Sequence, residues 1–165
     1  MLKTVSVLLS FLMLISGCIK NEATKCEYDA CATKAPANEI QAVKDYLASV
    51  SITNATEHCS GVLYVIDTAG TGNAPTSCGT VNATYTGKLT NGNTFDAGTT
   101  QFGLSSVIPG WTNTIPLIKN GGKIRLFIPP SLGYGAQGIT DSRTGNVIIP
   151  PNAILLFDVR LNAVY

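Results

Sequence analysis

Tyr85-Thr86-Gly87, Phe95-Asp96, Val107-Ile108-Pro109-Gly110-Trp111, Leu132-Gly133-Tyr134-Gly135, Ile149-Pro150-Pro151-Asn152-Ala153 and Phe157-Asp158 set aromatic rings at intervals along the second half of the chain, with turn residues between them. No Ser/His/Asp set, metal-ligand cluster or phosphate-binding loop accompanies them. The single histidine, His58, lies outside this region and reads as a surface residue. A ringed pocket without a nucleophile or a base suits chemistry in which no covalent bond is made.

The segments between the rings read as strands. Gly61–Asp67 (GVLYVID) is a strand, and Thr68–Ser77 is a Gly/Pro turn region. Val81–Leu89 follows, with Val81, Ala83 and Tyr85 on one face. Thr90-Asn91-Gly92-Asn93 then supplies a hairpin-type turn, since Asn-Gly accepts the positive φ of tight turns. Lys123–Ile128 puts Ile124, Leu126 and Ile128 on one side, and Ile154–Leu161 puts Phe157, Val159 and Leu161 opposite Asp158 and Arg160. Period-two alternation of this kind belongs to an antiparallel sheet with one buried face. Trp111–Ile118 is a short helix. Its Pro116 fits only a first turn or an irregular one, which places the start near Thr112–Thr114. Upstream, Asn38–Val50 carries Ile40, Val43, Leu47 and Val50 at helical spacing, with Asn38 as its cap. The class is α+β.

The termini and the cysteines bear on location. Lys3 precedes an apolar stretch, Val5–Ile15, too short to span a bilayer. Ile15-Ser16-Gly17-Cys18 resembles the bacterial lipobox, whose cysteine is acylated and becomes the new N-terminus. The expected division is a lipoprotein signal peptide over 1–17, a flexible tether over 18–35, an amphipathic helix and connector over 36–59, and the main domain over 60–165. With Cys18 spent as an anchor, four of the five cysteines remain. An even number in an exported chain implies two disulfides with three possible connectivities, of which Cys26–Cys31 and Cys59–Cys78 are the sequence-local choice. Charged residues are 13% of the chain and the formal charge is +1, so no basic surface for nucleic acid is expected.

The ordered motifs resemble those of the FKBP-type peptidyl-prolyl cis-trans isomerases, the macrolide-binding immunophilins, and look most like the bacterial secreted lipoprotein branch. The likeness runs from about Ser60 to the C-terminus, and more weakly back to about Ala37. It implies a twisted antiparallel sheet of about five strands wrapped around one short helix, with an N-terminal helix. It also implies a pocket with Trp111 as floor and Phe95, Phe102 and Phe157 as walls. Val107 and Ile108 would form an edge, with the Ile108 N–H meeting a substrate carbonyl. Tyr134 would present its hydroxyl, Asp96 would accept a hydrogen bond from Tyr85, and Ile149 would lie on the loop that closes over the site.

The implied reaction is rotation about an X–Pro amide, against an uncatalysed barrier of roughly 18–20 kcal/mol. No cofactor is required. The implied partners are proline-containing unfolded or extended polypeptides, macrolide inhibitors, and a membrane through the lipid anchor in the bacterial cell envelope. A non-catalytic peptide-binding lipoprotein of the same fold is the second functional class. Two features depart from the family pattern. Ile139–Val147 is longer than in many members, and Thr100 stands where some members carry another ring.

Overall fold

The computed structural model describes residues 26–165. The expected signal peptide, the anchor cysteine Cys18 and the first part of the expected tether lie outside the described residues.

Alternation builds the sheet. In β8 (Leu155–Val164) the buried Leu155, Phe157, Val159 and Leu161 alternate with exposed Asp158 and Arg160 or with partly exposed residues. Each large apolar side chain so buried stabilises the fold by about 1.5–3 kcal/mol. β8 pairs with β5 (Lys123–Ile128) on one side and β3 (Thr80–Leu89) on the other. The full order is β1-β2-β5-β8-β3-β4, antiparallel throughout, where β1 is Thr56–Glu57, β2 is Leu63–Thr68 and β4 is Thr94–Gly103. The two-residue β1 brings the sheet to six strands. A separate hairpin pairs β6 (Ile139–Thr140) with β7 (Val147–Ile149) and contains the long insertion.

Two helices complete the fold. α1 (Ala37–Ser49) buries Ile40, Val43 and Leu47 in the same core as the sheet. Its cap is Pro36 and no side chain caps it, so Asn38 does not serve that role. Val50 ends the helix and stays exposed, outside the apolar stripe. α2 (Pro109–Thr114) begins earlier than the expected Thr112–Thr114. Proline at a helix start loses nothing, because its missing N–H would be unpaired there and its φ is already helical. Pro116 falls in a following 3₁₀ turn, Ile115–Leu117, where the helix gives out. Gly110 lets α2 lie on β5, since a Cβ there would sit 2.6 Å from Ile128 Cγ2.

The disulfides differ from the sequence-local pairing. The bonds are Cys26–Cys78 and Cys31–Cys59, not Cys26–Cys31 and Cys59–Cys78. Cys59 precedes β2 and Cys78 precedes β3, and β5 and β8 separate those two strands. Between the first two cysteines the chain turns, with Ala32 N donating to Asp29 O and Cys31 N to Asp29 Oδ1. Each of these cysteines thus reaches a different part of the domain. From Cys26 onward the expected tether is therefore fastened down. Tyr28 Oη donates to Asn113 Oδ1 of α2 at 2.6 Å, and Ala35 N donates to Ser60 O at 2.9 Å.

Mass spectrometry of an unreduced digest should recover peptides linked through Cys26–Cys78 and Cys31–Cys59. The bonds join residues 52 and 28 positions apart. Closing loops of that size stabilises by about 4 kcal/mol each in the chain-entropy account. Reduction should therefore lower the unfolding midpoint sharply. Recovery of a Cys59–Cys78 peptide would overturn the assignment.

Candidate functional site

The indole of Trp111 is 4% exposed and forms the floor of a cavity of about 480 Å³. Three strands each bring a ring to it. Tyr85 of β3 stands at 5.2 Å and 86°, Phe157 of β8 at 5.1 Å and 82°, and Phe102 of β4 at 5.3 Å and 55°. The two edge-to-face pairs, with Tyr85 and Phe157, add about 0.5–1.5 kcal/mol each beyond burial, and Phe102 packs at a tilt. Phe95 extends the wall by meeting Phe157 at 5.4 Å and 87°. The Trp111 Nε1 is buried and has no hydrogen-bond partner among the described residues.

A bulge creates the junction of wall and rim. Gly87 pairs with Asp96, but the next pair is Lys88 with Thr94, so Phe95 is the extra residue of β4. On a regular strand Phe95 and Asp96 would point to opposite faces. The bulge lets both line the same cavity. Gly87 makes room for the result: a Cβ there would lie 2.7 Å from Phe157 Cε1 and 2.7 Å from Phe95 Cζ.

Polar groups stand at the rim. Tyr85 Oη donates to Asp96 Oδ2 at 2.9 Å. Burial, then the hydrogen bond to Asp96 and its charge, push the Tyr85 hydroxyl above its ordinary pKa. Burial and the Asp96 charge do the same for Tyr134. Both hydroxyls therefore keep their protons well above neutral pH. The Tyr134 hydroxyl and the Ile108 N–H donate to no other described residue, so both remain open to a ligand. Ile108 immediately precedes α2, and its carbonyl accepts from Trp111 N at 2.9 Å. Glu39 Oε2 of α1 accepts from Ser131 N at 2.9 Å, bracing the turn that leads to Tyr134.

The structure gathers the expected residues around this cavity with one exception. Tyr85, Phe95, Asp96, Phe102, Val107, Ile108, Trp111, Tyr134 and Phe157 all line it. Ile149 does not: it is 3% exposed and turned into the core from β7. Thr100 lines the wall, and Ser106, which the sequence reading passed over, lines the edge next to Val107. Its place immediately before Val107-Ile108 was the available signal. Among the described residues the lining is aromatic and aliphatic apart from Thr100, Ser106, the Asp96 carboxylate and the two tyrosine hydroxyls.

His58 is half-buried, with Nδ1 2.9 Å from Ser60 Oγ and 3.7 Å from Cys59 Sγ, and burial lowers its pKa. Ligand atoms of Cys31, His58 and Cys59 cluster within 4.8 Å, but the two sulfurs are bonded to each other, which leaves only the imidazole free.

Residues 72–162 match the family described as FKBP-type peptidyl-prolyl cis-trans isomerase. The chain is similar to a probable FKBP-type peptidyl-prolyl cis-trans isomerase of Haemophilus influenzae, 46% identical over 107 residues that cover 62% of this chain and 42% of the relative. Similarity to FkpA of Escherichia coli is 44% over 107 residues, 62% of this chain and 37% of that one. The match thus spans about two fifths of the length of these curated relatives. Among solved structures, a peptidyl-prolyl cis-trans isomerase from Pseudomonas syringae pv. tomato superposes with a TM-score of 0.66 at 34% identity, covering 80% of this chain and 98% of the other. FkpA of Escherichia coli superposes with a TM-score of 0.65 at 37% identity, covering 78% and 60%.

Gly87→Ala should damage the cavity from within the sheet. The added methyl must displace the rings of Phe95 and Phe157, which costs about 1–3 kcal/mol of stability. Chemical denaturation measures that loss. A peptide titration followed by fluorescence of Trp111, the only tryptophan, should show weaker binding. Wild-type stability together with wild-type affinity would mean that the rings do not need this glycine.

Proposed function

The chain belongs to the FKBP-type peptidyl-prolyl cis-trans isomerase family, and we propose that it accelerates rotation about X–Pro peptide bonds in extended or unfolded polypeptides. The observation that carries this reading is the ring-lined cavity, closed below by Trp111 and rimmed by the Tyr85–Asp96 pair.

The chemistry follows from differential binding. A planar amide delocalises its nitrogen lone pair into the carbonyl; twisting the bond removes that delocalisation and makes the carbonyl less polar. A dry aromatic cavity therefore favours the twisted form over the planar one, which lowers the barrier. The compact proline ring, fixed in φ, lies over the Trp111 floor. The Ile108 N–H and the Tyr134 hydroxyl hold backbone carbonyls of the substrate. Asp96 keeps Tyr85 oriented and sets a fixed charge near the amide. No proton is transferred. Macrolides would occupy the same cavity, with less contact at Thr100 than a ring there would offer.

We also propose that the protein is lipid-anchored through Cys18 in the bacterial cell envelope, on the periplasmic side or at the outer membrane, and assists folding of exported proteins. The Lys3 and Val5–Ile15 leader before Ser16-Gly17-Cys18 supports this. The disulfides add support, since they use Cys26, Cys31, Cys59 and Cys78 and leave Cys18 as the odd cysteine.

A purified domain should speed cis-to-trans relaxation of a short X–Pro peptide, which takes tens of seconds or more unaided. Asp96 is exposed and bonds to Tyr85, so Asp96→Ala should leave the protein folded with only a small fall in the unfolding midpoint, while kcat/KM falls about tenfold as Tyr85 loses its orienting partner and the amide loses the nearby carboxylate. The raised pKa values of Tyr85 and Tyr134 keep the neutral hydroxyls below their ordinary value of 10.0 and somewhat beyond it. Turnover should thus show no alkaline loss from these groups up to about pH 9. A folded domain that leaves the buffer rate unchanged for every X would reduce the protein to a peptide binder.

For the anchor, Cys18→Ser should abolish incorporation of radiolabelled fatty acid and leave an uncleaved precursor on a gel. Labelling that persists in this variant would place the lipid elsewhere or remove it from the account.

A further inference from the structure

A second concavity of about 560 Å³ lies between the β3–β4 turn and the β6–β7 hairpin. Its apolar lining comes from Leu89, Phe95, Val147, Ile148 and Pro150, and its polar lining chiefly from Asn91 and Asn93. Phe95 lines this groove and the prolyl cavity alike, so the two adjoin at one side chain. We propose that this groove is a subsite for the client polypeptide, taking an apolar side chain a few residues away from the proline. The inference rests on the isomerase reading of the neighbouring cavity.

Exposure and order in the same hairpin argue for an occupant. Val147 is 60% exposed and Ile148 41%, adjacent apolar residues facing water. The hairpin that holds them is firmly built: Asp141 N donates to Asn146 O at 2.9 Å, Gly145 N to Asp141 O at 2.8 Å, and Arg143 N to Asp141 Oδ1 at 2.8 Å. An ordered segment that exposes neighbouring apolar side chains beside a binding cavity is a preformed contact surface. This assigns a role to the long Ile139–Val147 insertion, which the prolyl cavity itself does not use.

The lining selects the occupant. Among the described residues no charged side chain borders the groove, so a neutral, apolar segment fits best. Asn91 accepts from Asn93 N through Oδ1 at 3.0 Å, while its Nδ2 and the whole Asn93 side-chain amide bond to no other described residue. Free amides at the rim of an apolar groove match the alternating donors and acceptors of an extended peptide backbone. Along β4 Thr94 lines the groove, Phe95 both hollows and Asp96 the prolyl cavity, so one extended chain at ~3.3 Å per residue reaches from one to the other in a few residues.

The test compares a tetrapeptide X–Pro substrate with twelve-residue peptides that carry one leucine, or alanine as control, at each of two to five residues from the proline on either flank. Wild-type protein should turn over one leucine spacing about tenfold better in kcat/KM than its alanine control. Val147→Asp and Ile148→Asp, both at exposed positions, should erase that gain and leave tetrapeptide turnover unchanged. Asn93→Ala should reduce it in part. No leucine advantage at any spacing, or an advantage that survives both aspartate variants, overturns the proposal. Should the tetrapeptide not be turned over at all, the isomerase reading fails separately. The groove is then decided by direct titration of the leucine peptides: an affinity advantage lost in the aspartate variants upholds it, and equal affinities overturn it.

Discussion

The packing of rings around one indole is the constraint on which the site depends. Strands β3, β4 and β8 each commit a ring to Trp111, at centroid distances between 5.1 and 5.3 Å. Such an arrangement holds only if the three strands keep their order and register and if α2 presents Trp111 at a fixed height above β5. Pro109 sets where α2 starts, and Gly110 sets how closely it approaches Ile128. The cysteine-linked segment contributes from behind, where Tyr28 bonds to Asn113 and Ser77 Oγ donates to Thr112 O in the same short helix. A helix of six residues has little stability of its own. Its position is therefore a tertiary product, and the floor of the cavity inherits that.

The sheet was legible in the sequence because alternation reports burial directly. The reading of Ile124, Leu126 and Ile128, and of Phe157, Val159 and Leu161, as inward residues matches their burial in the structure. Local rules failed where a longer-range fact decided. The disulfides follow strand order, which separates Cys59 from Cys78 by two intervening strands, and no spacing in the chain encodes that order. Pro109-Gly110 reads as a turn by composition, yet the same residues open a helix once Ile128 lies beneath them. Ile149 belongs to an apolar run, Val147-Ile148-Ile149, that has no alternation, so nothing in it told which side chain would turn inward. The site residues were recognisable through family likeness more than through periodicity. An aromatic set of this kind could equally be core, and Trp111 and Phe157 are in fact members of the core cluster.

That double membership explains how the cavity persists. A concave apolar surface in water tends to collapse unless the side chains around it are already close-packed on their other sides. Here the floor and walls are the top layer of the core, so closing the cavity would require breaking the ring contacts below it. Two irregularities supply what a regular sheet lacks. The bulge at Phe95 turns a wall residue and a rim carboxylate the same way, and the missing side chain at Gly87 lets Phe95 and Phe157 meet. Tyr85 then joins the two halves of the design, with its ring packed against Trp111 and its hydroxyl bonded to Asp96. The ordering cost of the pocket is met when the protein folds, so little of a ligand's binding energy need go into shaping the cavity.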